Sequence, residues 1–275
     1  MNLLSKSEHD RLTKSSHDIR LQILNLAFSA GGGQHLGGGL SMVEIMVYLY
    51  GNLFNIDLIT DCAANRDRFV LSKGHGVLGF YPVLHHFGLI SDDSLSTYKC
   101  FGSELISHPI KNLSFGIESS NGSLGHGLSY AAGIAHGLNI CSLSAEFIVL
   151  LGDGECNEGS VWEAAMSAAS MKLSNLTAIV DFNGFQSDGS TSQILSQVNL
   201  VDRWNAFGWN ALEIDGHCLN SIHQAFQSRS ASKPNIFIAN TIKGKGIDFM
   251  ESNNDWHHGI LTKSLYDQAI QALSC

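Results

Sequence analysis

The sequence predicts an α/β fold with a mainly parallel, doubly wound sheet and helices on both of its faces, and two observations support that prediction. Residues 147–151 and 176–182 are apolar runs of strand length, and the second is rich in β-branched residues. Between them, small apolar side chains recur at helical spacing over residues 158–171. Two strands joined by such a helix are expected to lie parallel in a right-handed crossover.

The rest of the chain continues this pattern of helices and strands. Further helices are predicted over residues 8–29, 76–88, 128–140, 219–229 and 263–273, and further strands within 66–75, at 210–215 and at 235–241. Ser41 and Glu44 have the spacing of a capping box at a helix start. No repeat, low-complexity segment or linker interrupts these elements, so residues 1–275 are predicted to form a single domain.

Composition and net charge narrow the class of protein. Hydrophobic residues make up 44% of the 275 residues and charged residues 15%, which is typical of a globular chain. The net charge of −9 argues against nucleic acid or an anionic membrane as a partner. The six cysteines lack finger-like or CxxC spacing, the first residues lack a signal-peptide core, and no apolar run reaches the ~20 residues of a membrane span. A soluble, cytoplasmic protein with reduced thiols is therefore expected.

Polar side chains follow the two central strands at the point where each strand ends. Asp153 stands between two glycines after the first strand, and Asn183 precedes Gly184 after the second. Because parallel strands end at the same edge of a sheet, these two corners are expected to face each other at a solvent-facing edge. Carboxylate and amide oxygens suit magnesium, and the N-terminus of the following helix suits phosphates. A lone GDG is most often a turn, but the paired corners predict a site for a magnesium-bound diphosphate.

This arrangement resembles the thiamine diphosphate motif of transketolases, in which GDG and NEG precede an asparagine loop after the next strand. The resemblance extends from about residue 30 to about residue 261. It implies that Asp153, Asn183 and the carbonyl of Phe185 hold magnesium. It also implies that Gly154, Glu158 and the 122–124 loop hold the coenzyme and its dimer neighbour.

The loop before the predicted helix 128–140 also resembles a coenzyme-binding segment. The stretch NGSLGHG at 121–127 is similar to the family's GPLGxG, whose glycine and leucine contact the aminopyrimidine ring of the coenzyme. Gly122, Ser123 and Leu124 fill these positions. Ser123 replaces the commoner proline, a change that leaves the backbone contacts in place.

Four histidines lie on segments that resemble the family's catalytic ones. His35 lies in GGGQHLGGGLS, similar to the family's GHxGGxLS, from which Gln34 departs as an apparent extra residue. His75 ends RDRFVLSKGH, where the resemblance implies contact with the diphosphate and the substrate. By the same resemblance His108 contacts the sugar, and His258 lies near the diphosphate and the departing oxyanion. These histidines would relay protons and stabilise alkoxide charge, which suits histidine near neutral pH.

Several alternatives stay open at this stage. Without the resemblance, a lone histidine such as His75 at a strand end is more often structural. For the role near the diphosphate and the departing oxyanion, His257 is the adjacent alternative to His258. Lys243 and Lys245 lie in TIKGKG, which resembles the family's TxKGxG loop but also fits a solvated loop. The glycine run at 31–33 follows a helix and lacks the GxGxxG order, so a dinucleotide fingerprint is rejected.

The function expected from the resemblance is that of a diphosphate-binding subunit of a split transketolase-like transferase. Such an enzyme passes a two-carbon ketol unit from a ketose, often phosphorylated, to an aldose. The pyrimidine-binding domain with its glutamate is not found in the 275 residues, so a partner chain is expected to supply it within a heterotetramer. The alternatives are a thiamine diphosphate carboligase or decarboxylating subunit with a pyruvate-type donor, and a non-catalytic cofactor-binding or scaffold subunit.

Overall fold

The structure, a computed structural model, describes residues 2–196 and 199–273. The α-helices within these ranges are α1 (Lys6–Ala30), α2 (Leu36–Leu40), α3 (Val43–Tyr48), α4 (Ile56–Thr60), α5 (Val77–His86), α6 (Asp92–Ser96), α7 (Gly127–Ile140), α8 (Gly159–Ser170), α9 (Thr191–Ile194), α10 (Leu200–Ala206), α11 (Leu219–Gln227) and α12 (Lys263–Leu273). The strands are β1 (Gly33–Gln34), β2 (Arg68–Leu71), β3 (Phe147–Gly152), β4 (Leu176–Phe182), β5 (Phe185–Gln186), β6 (Gly189–Ser190), β7 (Asn210–Asp215), β8 (Asn235–Asn240) and β9 (Gly259–Ile260).

Five strands form a central parallel sheet in the order β2-β3-β4-β8-β7. The neighbours β3 and β4, joined by α8, pair in parallel from Phe147 opposite Leu176 to Gly152 opposite Asp181. Two short antiparallel pairs, β1 with β9 and β5 with β6, stand outside this sheet. The predicted parallel arrangement of the two central strands is confirmed.

The sheet separates two hydrophobic cores, because successive residues of a strand point to opposite faces. Along β3, Ile148 and Leu150 belong to the core shared with α1, α3, α5 and α11, whereas Phe147, Val149 and Leu151 belong to the core shared with α7, α8 and α10. All six residues of β3 are buried, as expected for a strand covered on both faces. The predicted fold class is therefore confirmed.

The sequence located most elements correctly but misassigned one helix start. The predicted helix 8–29 is α1, and the predicted helix 263–273 is α12. The capping box at Ser41 and Glu44 is wrong, because α3 begins after Met42 and has no side-chain cap. The Ser41 hydroxyl instead donates to Asp181 Oδ2 at 2.6 Å, and Glu44 pairs with Arg20. Both side chains bond to buried partners that are distant in sequence, so the local spacing of Ser41 and Glu44 could not predict these contacts.

Close backbone packing brings α2 against α5 beneath the carboxyl edge of the sheet. A Cβ on Gly79 would lie 2.3 Å from the carbonyl oxygen of Gly39, so only glycine permits this approach. The five described cysteines are free in the structure. Within residues 2–196 and 199–273, none of the helices has both the length and the apolar character needed to span a bilayer.

Candidate active site

A cavity of about 420 Å³ lies at the carboxyl ends of β2, β3 and β4, where open α/β sheets bind ligands. Its volume is within the range of small-molecule sites. The lining residues come from at least six separate segments: His35, Gly38, Lys73, His75, His108, Gly122, Leu124, Gly152, Asp153, Gly154, Glu155, Asn157, Glu158, Asn183, Phe185, Gln186, Ser187, Lys243 and His257. Ten of the sequence-predicted site residues line this cavity, and Ser123 and His258 are the two that do not.

Asp153 joins the two strand-end corners directly. Its Oδ1 accepts the Gly154 N–H at 2.8 Å, and its Oδ2 accepts the Gly184 N–H at 2.7 Å. The residue is only 2% exposed, so the expected solvent-facing position is wrong. Burial and the nearby charge of Asp181 raise the pKa of Asp153 to about 7. A positive charge placed beside this carboxylate would favour its ionised form.

Asn183 and Phe185 complete the oxygen-rich side of the cavity. Asn183 Nδ2 donates to Asp181 Oδ2 at 3.1 Å, and Asn183 Oδ1 accepts the Phe185 N–H at 3.1 Å. Among residues 2–196 and 199–273, no group of three or more histidine, cysteine, aspartate and glutamate side chains forms a self-sufficient metal cage. The oxygens at this corner include the Asp153 carboxylate and the Asn183 amide oxygen, which are hard ligands of the kind that magnesium takes together with non-protein oxygens.

A buried ion pair between Lys73 and Asp181 supports the floor of the cavity, and sequence reasoning missed it. Lys73 is 1% exposed and also donates to the Gly38 carbonyl at 2.8 Å. Asp181 also accepts hydrogen bonds from the Ser41 and Thr241 hydroxyls. Burial would raise the pKa of Asp181, but the charge and hydrogen bond of Lys73 outweigh it and lower that pKa. The only signal for Lys73 was its place two residues before His75.

Glu155 is a second buried carboxylate that sequence reasoning missed. It accepts the N–H of Gly125 at 2.9 Å and of Gly152 at 3.0 Å, and it also accepts the Ser72 hydroxyl. Burial raises the pKa of Glu155. These contacts fasten the 121–127 loop to the end of β3, which brings Gly122 and Leu124 to the cavity wall.

The predicted histidines are brought together although they are far apart in sequence. The His35 ring lies 5.1 Å from that of His75 and 6.4 Å from that of His108. The same ring lies 5.5 Å from His257 and 4.7 Å from His258. Gln34, the apparent extra residue, pairs with Gly259 between β1 and β9, and its buried side chain accepts the Tyr98 hydroxyl at 3.1 Å, while His35 lines the cavity.

Four of these rings are held in their neutral forms. Burial, together with the neighbouring histidines and lysines, lowers the pKa of His35 to about 4 and that of His257 to about 3. Burial likewise lowers the pKa of His75 and of His108. At neutral pH each of the four rings therefore offers one N–H donor and one nitrogen acceptor, which is the form needed to pass protons.

The structure distinguishes the two adjacent histidines that precede β9. His257 lines the cavity, and its Nδ1 lies 2.9 Å from Lys243 Nζ. His258 instead packs against Gly33, where a Cβ would come within 2.2 Å of its Cε1. Lys243 is 1% exposed and donates to Asn254 Oδ1 at 3.0 Å, so it is not in a solvated loop. Burial lowers the pKa of Lys243 to about 8, and it remains mainly cationic at neutral pH.

The geometry defines a class of site: an edge of a parallel sheet where hard oxygen donors, a buried lysine and neutral histidines converge on one cavity. This combination suits an anionic cofactor whose reaction requires proton transfer. A family model described as the transketolase, thiamine diphosphate binding domain, matches residues 13–273. The chain belongs to this family.

Similarity to individual relatives agrees with this assignment. The chain is 38% identical over 267 residues to one subunit of the apulose-4-phosphate transketolase of Phocaeicola vulgatus, covering 96% of this chain and 94% of the relative. It is 39% identical over 266 residues to the corresponding subunit from Actinobacillus succinogenes, covering 96% of each. The predicted class, a transketolase-type transferase subunit, is confirmed.

Single-chain transketolases match over only part of their length. Human transketolase is 36% identical over 265 residues, which is 95% of this chain but 42% of the human protein. The transketolase of Pichia stipitis superposes with a TM-score of 0.86 at 26% identity, covering 96% of this chain and 40% of that one. The chain thus spans less than half of these relatives and nearly all of the two apulose-4-phosphate transketolase subunits.

Proposed function

We propose that the chain is the diphosphate-binding subunit of a split, thiamine diphosphate-dependent transketolase that transfers a two-carbon ketol unit from a ketose to an aldose. The single observation that supports this best is the convergence of the Asp153 and Asn183 corners with four histidines from four separate segments on one cavity. Residues 1–275 would form one cofactor-binding domain. The proposed location is the cytoplasm.

The residues present fit a magnesium-bound diphosphate. Asp153, Asn183 and the Phe185 carbonyl would supply hard oxygens to the metal, and the cofactor would supply others. Gly38 lies beside the proposed anion position, where a Cβ would make ordinary contact with His75 Nε2 at 3.6 Å and with Lys73 Nζ at 3.8 Å. Lys243, whose Nζ lies 5.5 Å from the centre of the Phe185 ring, would add positive charge near the proposed metal ligands.

Other residues would hold the rest of the coenzyme. Helix α8 begins at Gly159 beside Glu158, and that start has no side-chain cap, so the N–H groups of Gly159 and Ser160 would be directed to an anion. Glu158 would also contact the neighbouring subunit. Gly122, Ser123 and Leu124 would support the aminopyrimidine ring through the backbone of their loop.

The histidines would handle the protons of the reaction. When bound, thiamine diphosphate supplies a stabilised carbanion equivalent next to the carbonyl carbon of the substrate. His35 and His108 would donate to and accept from the sugar hydroxyls, because their rings are neutral and close together. His75 would bridge this group to the diphosphate side. His257 and His258 are both candidates for stabilising the departing oxyanion, and His257 is the one that lines the cavity.

The partner is proposed to be a separate chain that carries the pyrimidine-binding domain. The names of the two apulose-4-phosphate transketolase relatives describe each as one subunit of an enzyme, and they also name a sugar phosphate, apulose 4-phosphate. A phosphorylated ketose is therefore the first donor to test here. Twofold assembly of two copies of each chain would give a heterotetramer with an obligate interface well above the ~1,600 Å² of a standard one.

The test is co-purification of the chain with the product of its genomic neighbour, followed by light scattering and an activity titration. We expect weak thiamine diphosphate binding and no ketol transfer from the isolated chain, because a cofactor held at one end stays mobile and hydrated. Activity should rise with added partner and saturate at a one-to-one ratio. Full activity of the isolated chain would refute the split-site proposal. Transfer from pyruvate but from no ketose would identify the pyruvate-type alternative.

A further inference from the structure

A buried network behind the cavity holds the loop that presents Lys243, and His217 is its central member. His217 follows β7, and its ring reaches the loop 241–246 after β8. Its Nε2 accepts the backbone N–H of Ile242 at 2.8 Å, and its Nδ1 lies 2.9 Å from Glu44 Oε2. A Cβ on Gly216 would lie 2.5 Å from Thr241 Cγ2, so a glycine before His217 is needed for this approach.

Both neighbours of the ring require the same tautomer. A backbone N–H can only donate, so His217 Nε2 must be unprotonated. Burial would raise the pKa of Glu44, but the His217 hydrogen bond and the charge of Arg20 hold it at about 2. Glu44 is therefore an acceptor, and His217 Nδ1 must carry the proton. The two contacts thereby fix the ring as the tautomer with a hydrogen on Nδ1 and none on Nε2.

The rest of the network fastens the same loop. Arg20 pairs with Glu44 through two hydrogen bonds of 2.6 and 2.9 Å, and its Nε donates to the Lys245 carbonyl at 3.1 Å. At the front of the loop, the Gly244 N–H donates to the carbonyl of Gly37, two residues after His35. The loop is thus held between the Arg20–Glu44 pair and the His35 segment, and Lys243 lines the cavity.

We infer that His217, fixed as its Nδ1–H tautomer between Glu44 and the Ile242 amide, is a positioning residue that places Lys243 for the anionic end of the cofactor. His217 does not line the candidate active-site cavity, so it acts through the loop. The consequence for cofactor affinity rests on the proposed function, whereas the tautomer and the loop contact do not.

Two amide substitutions separate the two ring contacts. In His217→Gln the amide oxygen reaches the position of Nε2 and can still accept from Ile242. In His217→Asn the shorter amide reaches the position of Nδ1 and can donate to Glu44, but the Ile242 N–H loses its acceptor. Because an unsatisfied buried donor is costly, we expect about tenfold weaker binding of thiamine diphosphate with magnesium for His217→Asn and less than about threefold for His217→Gln.

The readouts are ring ¹⁵N shifts, amide hydrogen exchange and calorimetry on the full chain with its partner. We expect a protonated Nδ1 and an unprotonated Nε2 in His217 at neutral pH. Ile242 should be protected from exchange in the wild type and in His217→Gln, but not in His217→Asn. A protonated Nε2, or equal Ile242 protection in both variants, would overturn the inference. Equal loss of affinity in both variants would likewise overturn it and reduce His217 to a general structural role. Absence of binding by the wild type would refute the proposed function, while the shifts and exchange would still decide the inference.

Discussion

The two sides of the cavity are built in different ways. The Asp153 and Asn183 side comes from the ends of two adjacent parallel strands, and backbone N–H donors hold its carboxylate in place. The histidine side comes from the separate segments around residues 35, 75, 108 and 257, whose imidazole rings pack against one another. One side is built from the ends of two neighbouring strands, whereas the other exists only when distant loops are packed together.

This difference suggests that one side of the cavity binds the cofactor and the other side transfers protons. A fixed carboxylate and amide suit the binding of a cation and a diphosphate, which must not move during the reaction. Neutral histidines of lowered pKa suit the exchange of protons with a changing substrate. Substitutions on the first side should therefore remove cofactor binding, and substitutions on the second side should remove turnover while binding persists.

The largest effect is expected for Asp153→Ala. We predict loss of measurable magnesium-dependent binding of thiamine diphosphate in calorimetry, because the only carboxylate of the proposed metal set is removed. The chain should stay folded, since burial and Asp181 already raise the pKa of this group to about 7 and its charge does not stabilise the fold. Asp188→Ala, at an exposed position between β5 and β6, is the matched control and should bind normally. Unchanged affinity of Asp153→Ala would remove the proposed metal site.

A smaller but still large effect is expected for the histidine side. In the assembled enzyme, alanine variants of His75, His108 and His257 should each lose roughly 10²–10⁴-fold in ketol transfer, the usual contribution of a general acid or base. Cofactor occupancy should stay near normal, although His75 also borders the diphosphate side. His258→Ala is the informative comparison, because that ring packs against Gly33. A greater loss for His258→Ala than for His257→Ala would assign the oxyanion role to His258, and wild-type rates in all four would contradict ketol transfer.

The smallest effect is expected on the pH dependence of stability. In the unfolded chain a histidine has a pKa near 6.5, whereas in the folded chain the pKa of His35 is about 4 and that of His257 is about 3. Below pH 6.5 the unfolded state therefore binds more protons, so the free energy of unfolding should decrease as the pH falls from about 6.5 towards 4. Urea unfolding across this range should show a shallower dependence in His35→Asn. A slope equal to that of the wild type would show that the ring is not held neutral.

The sequence by itself determined the five strands of the central sheet, the longest helices, the parallel pairing of the two central strands and the two polar corners at their ends. Periodicity and strand termination are local properties of the sequence, so the first and last residues of β4 and α12 were predicted correctly. The corners followed because parallel strands must end at one edge. The resemblance to transketolases added the histidines, whose short motifs are also local.

Only the tertiary structure decided which side chains meet at those positions. Ser41 bonds to Asp181, which is 140 residues away in sequence, and Lys73 bonds to the same residue from 108 residues away. Local spacing therefore cannot predict either contact. The choice between His257 and His258, and the burial of Lys243, likewise depend on how the last loops fold over the sheet. Burial also sets the pKa of Asp153 and of the histidines, because desolvation depends on the atoms packed around a group and not on its neighbours in the chain.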